Sequence, residues 1–207
     1  MGFLLHQDRI LVYTYVMNKR LAVRTLEDMR EVSMQPNASG PETLYYMIRG
    51  GAEMQNITVM ESGTVGGEYI KTYGHYHIDD FEEVYKVLEG EAIVLFQTRK
   101  KSSDGTFIDD GIVSAQAIRL KAGDSITIPP FAGHLLVNIG KTWLVTIDNS
   151  PVNINDDPAF PKHADYEPVK KMGGFAYFVI EKDGEPTLVK NPRYTNVPDI
   201  SIENFIK

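Results

Sequence analysis

Hydrophobic positions repeat at two different spacings along this chain. Between residues 19 and 34, Leu26, Met29 and Val32 recur three residues apart, which is the spacing of one face of a helix. Thr25 stands just before them, and threonine is a common N-cap residue. The pattern therefore predicts one short amphipathic helix near the N-terminus.

From residue 44 onward the pattern changes to short runs rich in β-branched and aromatic residues, separated by turn dipeptides such as Asp104-Gly105 and Asp183-Gly184. The predicted strands lie near residues 44–49, 53–60, 66–72, 83–89, 91–99, 112–120, 124–129, 134–138, 142–148, 175–182 and 187–190. Many short strands at close spacing are typical of a β-sandwich or a β-barrel. We therefore expect an all-β fold.

The segment from Val84 to Phe96 has the strongest pattern of a single hairpin. β-Branched and aromatic residues occupy both of its arms, and Glu89-Gly90 stands between them as a tight turn. We therefore expect the two arms to pair with each other. Residues 149–168 are rich in Pro, Asn and Asp, and they predict a long irregular loop.

The composition fits one folded domain. Hydrophobic residues make up 43% of the 207 residues and charged residues 24%, which is near the average for globular proteins and unlike that of disordered chains. A chain of this length can form one good core. We expect a single domain over residues 1–207, with a core at about 40–190, an N-terminal arm and helix at 1–39, and a C-terminal tail at 191–207.

Charge and apolar runs argue against two classes of partner. The formal net charge is −7 with acidic and basic residues interspersed, so no basic face for nucleic acid is predicted. Apolar runs such as Ala92–Phe96 are far shorter than the ~20 residues that cross a bilayer. The first residues lack the cleavage site of a signal peptide. We expect a cytoplasmic protein that binds neither nucleic acid nor membrane.

The lack of cysteine limits the chemistry that the chain can perform. It excludes disulfides, iron–sulfur clusters and thiolate catalysis. A transition metal would have to be held by imidazole and carboxylate groups. The chain has five histidines, namely His6, His75, His77, His134 and His163.

Two of these histidines, His75 and His77, are separated by one residue. On an extended strand, residues i and i+2 lie on the same face about 7 Å apart, so both imidazoles can reach one metal ion. Glu83 follows six residues after His77, and Gly90 follows Glu83 after six intervening residues. We favour Glu83 over Glu82 as a ligand, because it keeps this spacing and strand alternation turns its neighbour the other way.

The segment from His75 to Gly90 resembles the first cupin signature. Further along, Gly123, Pro129, His134 and Asn138 stand at the spacing of the second cupin signature. Phe131 departs from that signature, which has glycine at this position. The two halves together predict a cupin double-stranded β-helix, that is, a jelly-roll barrel, with a short N-terminal helix.

The two signatures predict one metal site, formed by His75, His77, Glu83 and His134. Three imidazoles and one carboxylate suit Fe(II), Mn(II), Zn(II) or Ni(II). We expect one divalent ion per chain, with Fe(II) as the first choice.

A more specific resemblance comes from longer segments of the chain. Residues 72–77 with Glu83-Val84-Tyr85, and residues 129–140, resemble the two metal-site segments of the archaeal-type, cupin-fold glucose-6-phosphate isomerases. Residues 174–194 are similar to the C-terminal strand pair of that family, and Leu26–Met29 to its N-terminal helix. The resemblance covers roughly residues 20 to 195.

This resemblance implies a metal-containing homodimer that interconverts glucose 6-phosphate and fructose 6-phosphate. It implies catalytic roles for Glu83 and His134. By the same resemblance, the sugar phosphate would be bound by Tyr45, Thr58, Thr72, Gly74, Tyr85 and Tyr166. Phe131 is expected to line the pocket and Tyr76 to lie in the core, while His163 matches a family histidine only loosely.

Two chemical routes and two other functions stay open. Isomerisation needs either a base, for which Glu83 is the candidate, or a metal that polarises both oxygens for a hydride shift. A cupin dioxygenase or decarboxylase is an alternative, because an open iron site of this kind can bind O₂. A non-catalytic sugar-phosphate sensor is another.

Overall fold

The computed structural model describes residues 21–50, 56–151, 157 and 161–206. β-Strands dominate this part of the chain, as predicted. The strands are β1 Leu21–Thr25, β2 Thr43–Ile48, β3 Asn56–Met60, β4 Thr64–Val65, β5 Glu68–Tyr69, β6 His75–His77, β7 Glu83–Glu89, β8 Glu91–Lys101, β9 Phe107–Lys121, β10 Ser125–Ile128, β11 Gly133–Asn138, β12 Leu144–Asp148, β13 Ala164–Asp165, β14 Tyr177–Lys182, β15 Glu185–Lys190 and β16 Ile202–Asn204. The helices are α1 Leu26–Met29, a 3-10 turn Arg30–Val32, and α2 Glu167–Lys171.

Most strands belong to two six-stranded sheets. The first sheet has the order β1-β2-β3-β12-β7-β10, and the second has the order β13-β6-β11-β8-β9-β16. A third sheet has the order β15-β14-β5-β4. Named strands pair antiparallel except β16 and β9, which run parallel. None of the described helices is long and apolar enough to span a membrane.

The two large sheets bury one continuous core between them. Strand β7 in the first sheet alternates buried and exposed side chains, so that Val87 points inward and Leu88 outward. Strand β11 lies inside the second sheet and is buried at every position. Inward side chains of both sheets join the same hydrophobic cluster. The all-β prediction is confirmed, and the arrangement is consistent with a jelly roll.

The predicted hairpin around Gly90 is wrong. Strand β7 pairs with β10 and β12 in the first sheet, whereas β8 pairs with β9 and β11 in the second. Gly90 has φ +86°, and a Cβ there would lie 2.6 Å from the carbonyl oxygen of Trp143. The chain therefore crosses between the sheets at Gly90. Both arms are apolar because each faces the same core from its own sheet, so the pattern imitates a hairpin.

The predicted helix over residues 19–34 is only partly correct. Thr25 is the N-cap, since its Oγ1 accepts a hydrogen bond from the Asp28 amide and its own amide donates to the Asp28 carboxylate. The helix is short, and the residues before it form β1. Their alternation turns Ala22 and Arg24 inward and Leu21 outward. Residues 19 and 20 lie outside the described part.

The predicted loop over residues 149–168 contains regular structure at its end. Strand β13 pairs with β6, and α2 begins at Glu167. Residues 152–156 and 158–160 lie outside the described part. The predicted C-terminal tail also forms a strand, β16, beside β9.

One buried ion pair holds the N-terminal segment against the third sheet. Lys71 Nζ lies 2.5 Å from Glu68 Oε1 and donates to the carbonyl of Val32 at 2.8 Å. Glu68 Oε2 accepts from the amide of Met34 at 2.8 Å. Both charges are thus neutralised by each other and bound by backbone groups from the segment after α1.

Candidate metal centre

Strand pairing brings the four predicted ligands together. His75 and His77 lie on β6, whose pairing with β11 sets His134 directly opposite His75. Glu83 is the first residue of β7 and reaches them from the other sheet. One ligand atom from each of the four residues lies within 4.8 Å of the others. The neighbouring Glu82 is exposed.

The ligand atoms converge on a small volume. Glu83 Oε2 lies 2.8 Å from His77 Nε2 and 3.2 Å from His134 Nε2, and the latter lies 3.1 Å from His75 Nε2. Donor atoms that bind one metal ion at about 2.1 Å stand about 3.0–3.4 Å apart at adjacent corners of an octahedron or a tetrahedron. The observed spacing therefore fits one ion.

The protonation states of two of the four residues, His75 and Glu83, also fit a metal. Burial, and then His134, hold the pKa of His75 well below its ordinary value, so this imidazole stays neutral. Burial acts to raise the pKa of Glu83, but His134 and His77 outweigh it and hold the pKa well below its ordinary value. A metal needs neutral imidazoles and an ionised carboxylate. The Nδ1 atoms of His77 and His134 are buried and have no hydrogen-bond partner among the described residues.

A cleft opens beside this cluster. His75, Glu83 and His134 line the cleft, and so do all six residues predicted to bind substrate, Tyr45, Thr58, Thr72, Gly74, Tyr85 and Tyr166. The structure thus brings the two predicted sets of residues to one site.

Two hydroxyls in the cleft are held by backbone amides. Tyr45 Oη accepts from the amide of Tyr73, and Thr72 Oγ1 accepts from the amide of Leu136, each at 3.0 Å. Each hydroxyl can therefore donate its own hydrogen to a ligand. Gly74 has φ +80°, and a Cβ there would lie 2.5 Å from the ring of Phe175, so only glycine fits.

Sequence analysis missed two arginines in the same cleft. Arg24 and Arg49 line it, and Arg24 is 3% exposed, with its guanidinium 5.3 Å from the ring centre of Tyr73. The alternation of exposed and buried residues in β1 could have indicated that Arg24 points inward. The prediction of a helix over residues 19–34 hid this alternation. The sequence pattern that predicts a strand near 44–49 does not indicate that Arg49 lines a cleft.

Other predicted positions gave mixed outcomes. Phe131 is 40% exposed and does not line the cleft, so the expectation that it lines the pocket is wrong. Its φ of +59° explains why the cupin signature has glycine here. Tyr76 is in the core at 1% exposure. His163 lines the cleft, with its ring centre 6.0 Å from that of His75.

Two packed sheets, with three histidines and a glutamate able to hold a metal ion between them, define a protein of the cupin class. The sequence model of "Glucose-6-phosphate isomerase (GPI)" matches residues 32–197. The chain therefore belongs to the glucose-6-phosphate isomerase family.

Individual relatives agree with this assignment. The chain is 33% identical to the glucose-6-phosphate isomerase of Pyrococcus furiosus over 66% of this chain and 62% of the relative. The isomerase of Thermococcus litoralis is 26% identical over 86% of this chain and 89% of the relative. The chain spans about three fifths of the length of most of these relatives, 62% for that of Thermococcus gammatolerans.

Solved structures give only weak similarity. A Lactobacillus farciminis oxalate decarboxylase has a TM-score of 0.32 and 24% identity, covering 45% of this chain and 22% of that one. The Drosophila melanogaster CENP-C cupin domain has a TM-score of 0.37 and 13% identity, covering 68% and 96%. Neither comparison adds to the assignment.

Proposed function

We propose that the chain is a metal-dependent aldose–ketose isomerase that interconverts glucose 6-phosphate and fructose 6-phosphate. The observation that carries this proposal is the single cleft that joins a histidine–glutamate cluster to hydroxyl and guanidinium donors. A metal cluster alone would suit many reactions, whereas these donors suit a phosphorylated substrate. Membership of the isomerase family supports the same activity.

The phosphate group would bind among the hydroxyls that line the cleft. Tyr45, Thr58 and Thr72 offer hydroxyls there, and Gly74 lets the backbone approach the ligand closely. Arg24 and Arg49 would balance the charge of the phosphate, because a guanidinium binds phosphate through paired N–H groups. Tyr85 and Tyr166 would pack against the sugar.

His75, His77, Glu83 and His134 would hold one divalent ion, with Fe(II) as our first choice. When bound, such an ion supplies Lewis-acid polarisation of the substrate oxygens. In the proposed reaction the Glu83 carboxylate would take the proton from C2 while O1 gains a proton, which gives an enediol. Glu83 would then return its proton to C1 while O2 loses its hydroxyl proton, which gives the ketose. His134 would hold the ion beside Glu83, since its Nε2 lies 3.2 Å from Glu83 Oε2.

We also propose a homodimer formed through the outer face of the first sheet. Leu21, Val23, Val84 and Leu88 are 38–44% exposed on this sheet. Partly exposed apolar side chains lie on the strands between them, at Tyr46, Ile48, Ile57, Val59, Val145 and Ile147. An aliphatic face can pack against a copy of itself, as a two-fold contact requires. Light scattering should give about twice the chain mass of 23.3 kDa, and a monomer at all concentrations would contradict the proposal.

The activity is tested with purified, metal-reconstituted protein. We expect conversion of fructose 6-phosphate to glucose 6-phosphate, with mannose 6-phosphate assayed beside it to define substrate range. Metal analysis of the same sample controls for loading. Absence of conversion in protein that holds one ion per chain would refute the proposed activity.

A further inference from the structure

The end of strand β12 holds the glutamate of the metal cluster from behind. Ser150 Oγ donates a hydrogen bond to Glu83 Oε1 at 2.5 Å. The other oxygen, Oε2, is the one that faces His77 and His134. The two oxygens of Glu83 are therefore engaged on opposite sides.

Ser150 is itself fixed by two buried side chains. Its amide donates to Asp148 Oδ1 at 3.0 Å, and its carbonyl accepts from Asn56 Nδ2 at 3.1 Å. Asn56 Nδ2 also donates to Asp148 Oδ1 at 2.7 Å, and the pairing of β3 with β12 sets these two residues opposite each other. We call Asn56, Asp148 and Ser150 the serine clamp. Its members are 0–4% exposed, so water does not compete for these bonds.

The hydrogen bonds of the serine clamp restrict where the Ser150 hydroxyl can lie. With both its amide and its carbonyl bound, the serine backbone is held in place, and its short side chain reaches Glu83. The terminal torsion of a glutamate is otherwise broad, so an unheld carboxylate could rotate and offer either oxygen. Groups that bind ligand residues commonly set ligand orientation in this way.

We propose that Ser150 is a positioning residue that orients the Glu83 carboxylate, so that Oε2 alone faces the histidine cluster. Its effect on turnover rests on the proposed isomerase function. Its effect on the cluster does not, because any ion held by the four residues would sense the orientation of Glu83.

The test compares wild type with Ser150→Ala, after replacement of the bound ion by Co(II). We expect the visible absorption of the cobalt protein to shift, and kcat for fructose 6-phosphate to fall about 10- to 100-fold with KM within about twofold of wild type. Thr146→Val is the matched control, because Thr146 carries a buried hydroxyl on β12, the strand that precedes Ser150, and does not line the cleft. It should leave both readouts unchanged.

Ser150→Gly also removes the hydroxyl, and it replaces the alanine variant if circular dichroism shows that the latter does not fold. A cobalt spectrum and a kcat equal to those of wild type would overturn the proposal. If wild type itself shows no isomerisation, the proposed function fails, while the cobalt spectra still decide the role of Ser150.

Discussion

Two buried groups of charged side chains in this protein differ in how they are satisfied. In the Lys71–Glu68 pair the charges are opposite, and each is also bound by a backbone group of the N-terminal segment. In the cluster of three histidines and one glutamate, side-chain nitrogen and oxygen atoms converge on one small volume, as with the 3.1 Å separation between the Nε2 atoms of His75 and His134.

This difference supports our proposal that the first group is structural and the second binds an ion. A buried pair that is complete in itself costs desolvation but leaves nothing to be bound. Three imidazoles and a carboxylate whose ligand atoms converge can in addition hold a metal ion, which is the role we propose for them. Variants in the two groups should therefore affect different measurements.

The largest effect is expected in the metal cluster. His77→Ala removes one ligand, so the metal content should fall to a small fraction per chain and isomerase activity should fall by more than ~100-fold. Chelation of wild type should abolish activity, and added metal should restore it. Metal analysis beside the fructose 6-phosphate assay checks this. Full activity in thoroughly demetallated protein would contradict it.

The ion pair should show the opposite behaviour. Lys71→Met leaves the Glu68 carboxylate buried without its partner, so the free energy of unfolding should fall by about 3–5 kcal/mol. Metal content and kcat should stay at wild-type values. The double variant Lys71→Met with Glu68→Leu should recover most of the stability, as measured by urea unfolding. Loss of metal in Lys71→Met would contradict the expectation that the ion pair affects stability alone.

A smaller effect is expected where the cleft meets the proposed phosphate. Thr58→Val removes one hydroxyl donor at nearly constant volume, and a hydrogen bond to a charged group is worth roughly 1.5–3 kcal/mol. KM should therefore rise about 10- to 100-fold with no change in metal content. Thr146 lies directly opposite Thr58 on β12, and Thr146→Val is the control. An unchanged KM for Thr58→Val would show that the phosphate lies elsewhere.

The smallest effect concerns pH in chelated protein. Burial, and then the charge of Glu83, raise the pKa of Asp148 to about 7. Folded protein thus keeps a proton that the unfolded chain has lost, so this group lowers the unfolding free energy by about 1.4 kcal/mol per unit as pH rises from about 4 to 7. Burial lowers the pKa of His75, so below its ordinary pKa of 6.5 this residue makes the unfolding free energy rise with pH, opposite to Asp148.

Asp148→Asn isolates the first contribution, because the amide cannot titrate and its oxygen can still accept the two hydrogen bonds. Urea unfolding at pH 5.5 and at pH 6.5 gives the loss of unfolding free energy between the two pH values. We expect this loss to be about 1.4 kcal/mol smaller in the variant than in wild type. Equal pH dependence in the two proteins would mean that Asp148 titrates normally.

Most of the histidine–glutamate cluster could be predicted because its signal is local. Strand alternation sets His75 beside His77 and distinguishes Glu83 from Glu82, and most predicted strands also lie where the structure has them. These inferences need only the neighbours of a residue along the chain. His134 was predicted instead from the resemblance to the second cupin signature.

Other features could not be predicted because they depend on distant partners. The crossing at Gly90 has the same apolar pattern as a hairpin, and only the pairing of each arm reveals the difference. Arg24 lies on β1 and Arg49 directly after β2, and both line the cleft, whereas arginine side chains usually face solvent. Ser150 lies in a segment predicted as an irregular loop, and its contact with Glu83 spans 67 residues of sequence.

The division of the metal cluster between the two sheets has a consequence for the lifetime of the protein. Glu83 belongs to the first sheet and the histidines to the second, in a chain without cysteine. A bound cation would cross-link the sheets as a disulfide does in secreted proteins. A ligand that binds only the folded chain, at 100 times its Kd, adds about 2.7 kcal/mol to the free energy of unfolding. Metal starvation would then expose the chain to proteases, so that cells short of metal would lose the protein itself.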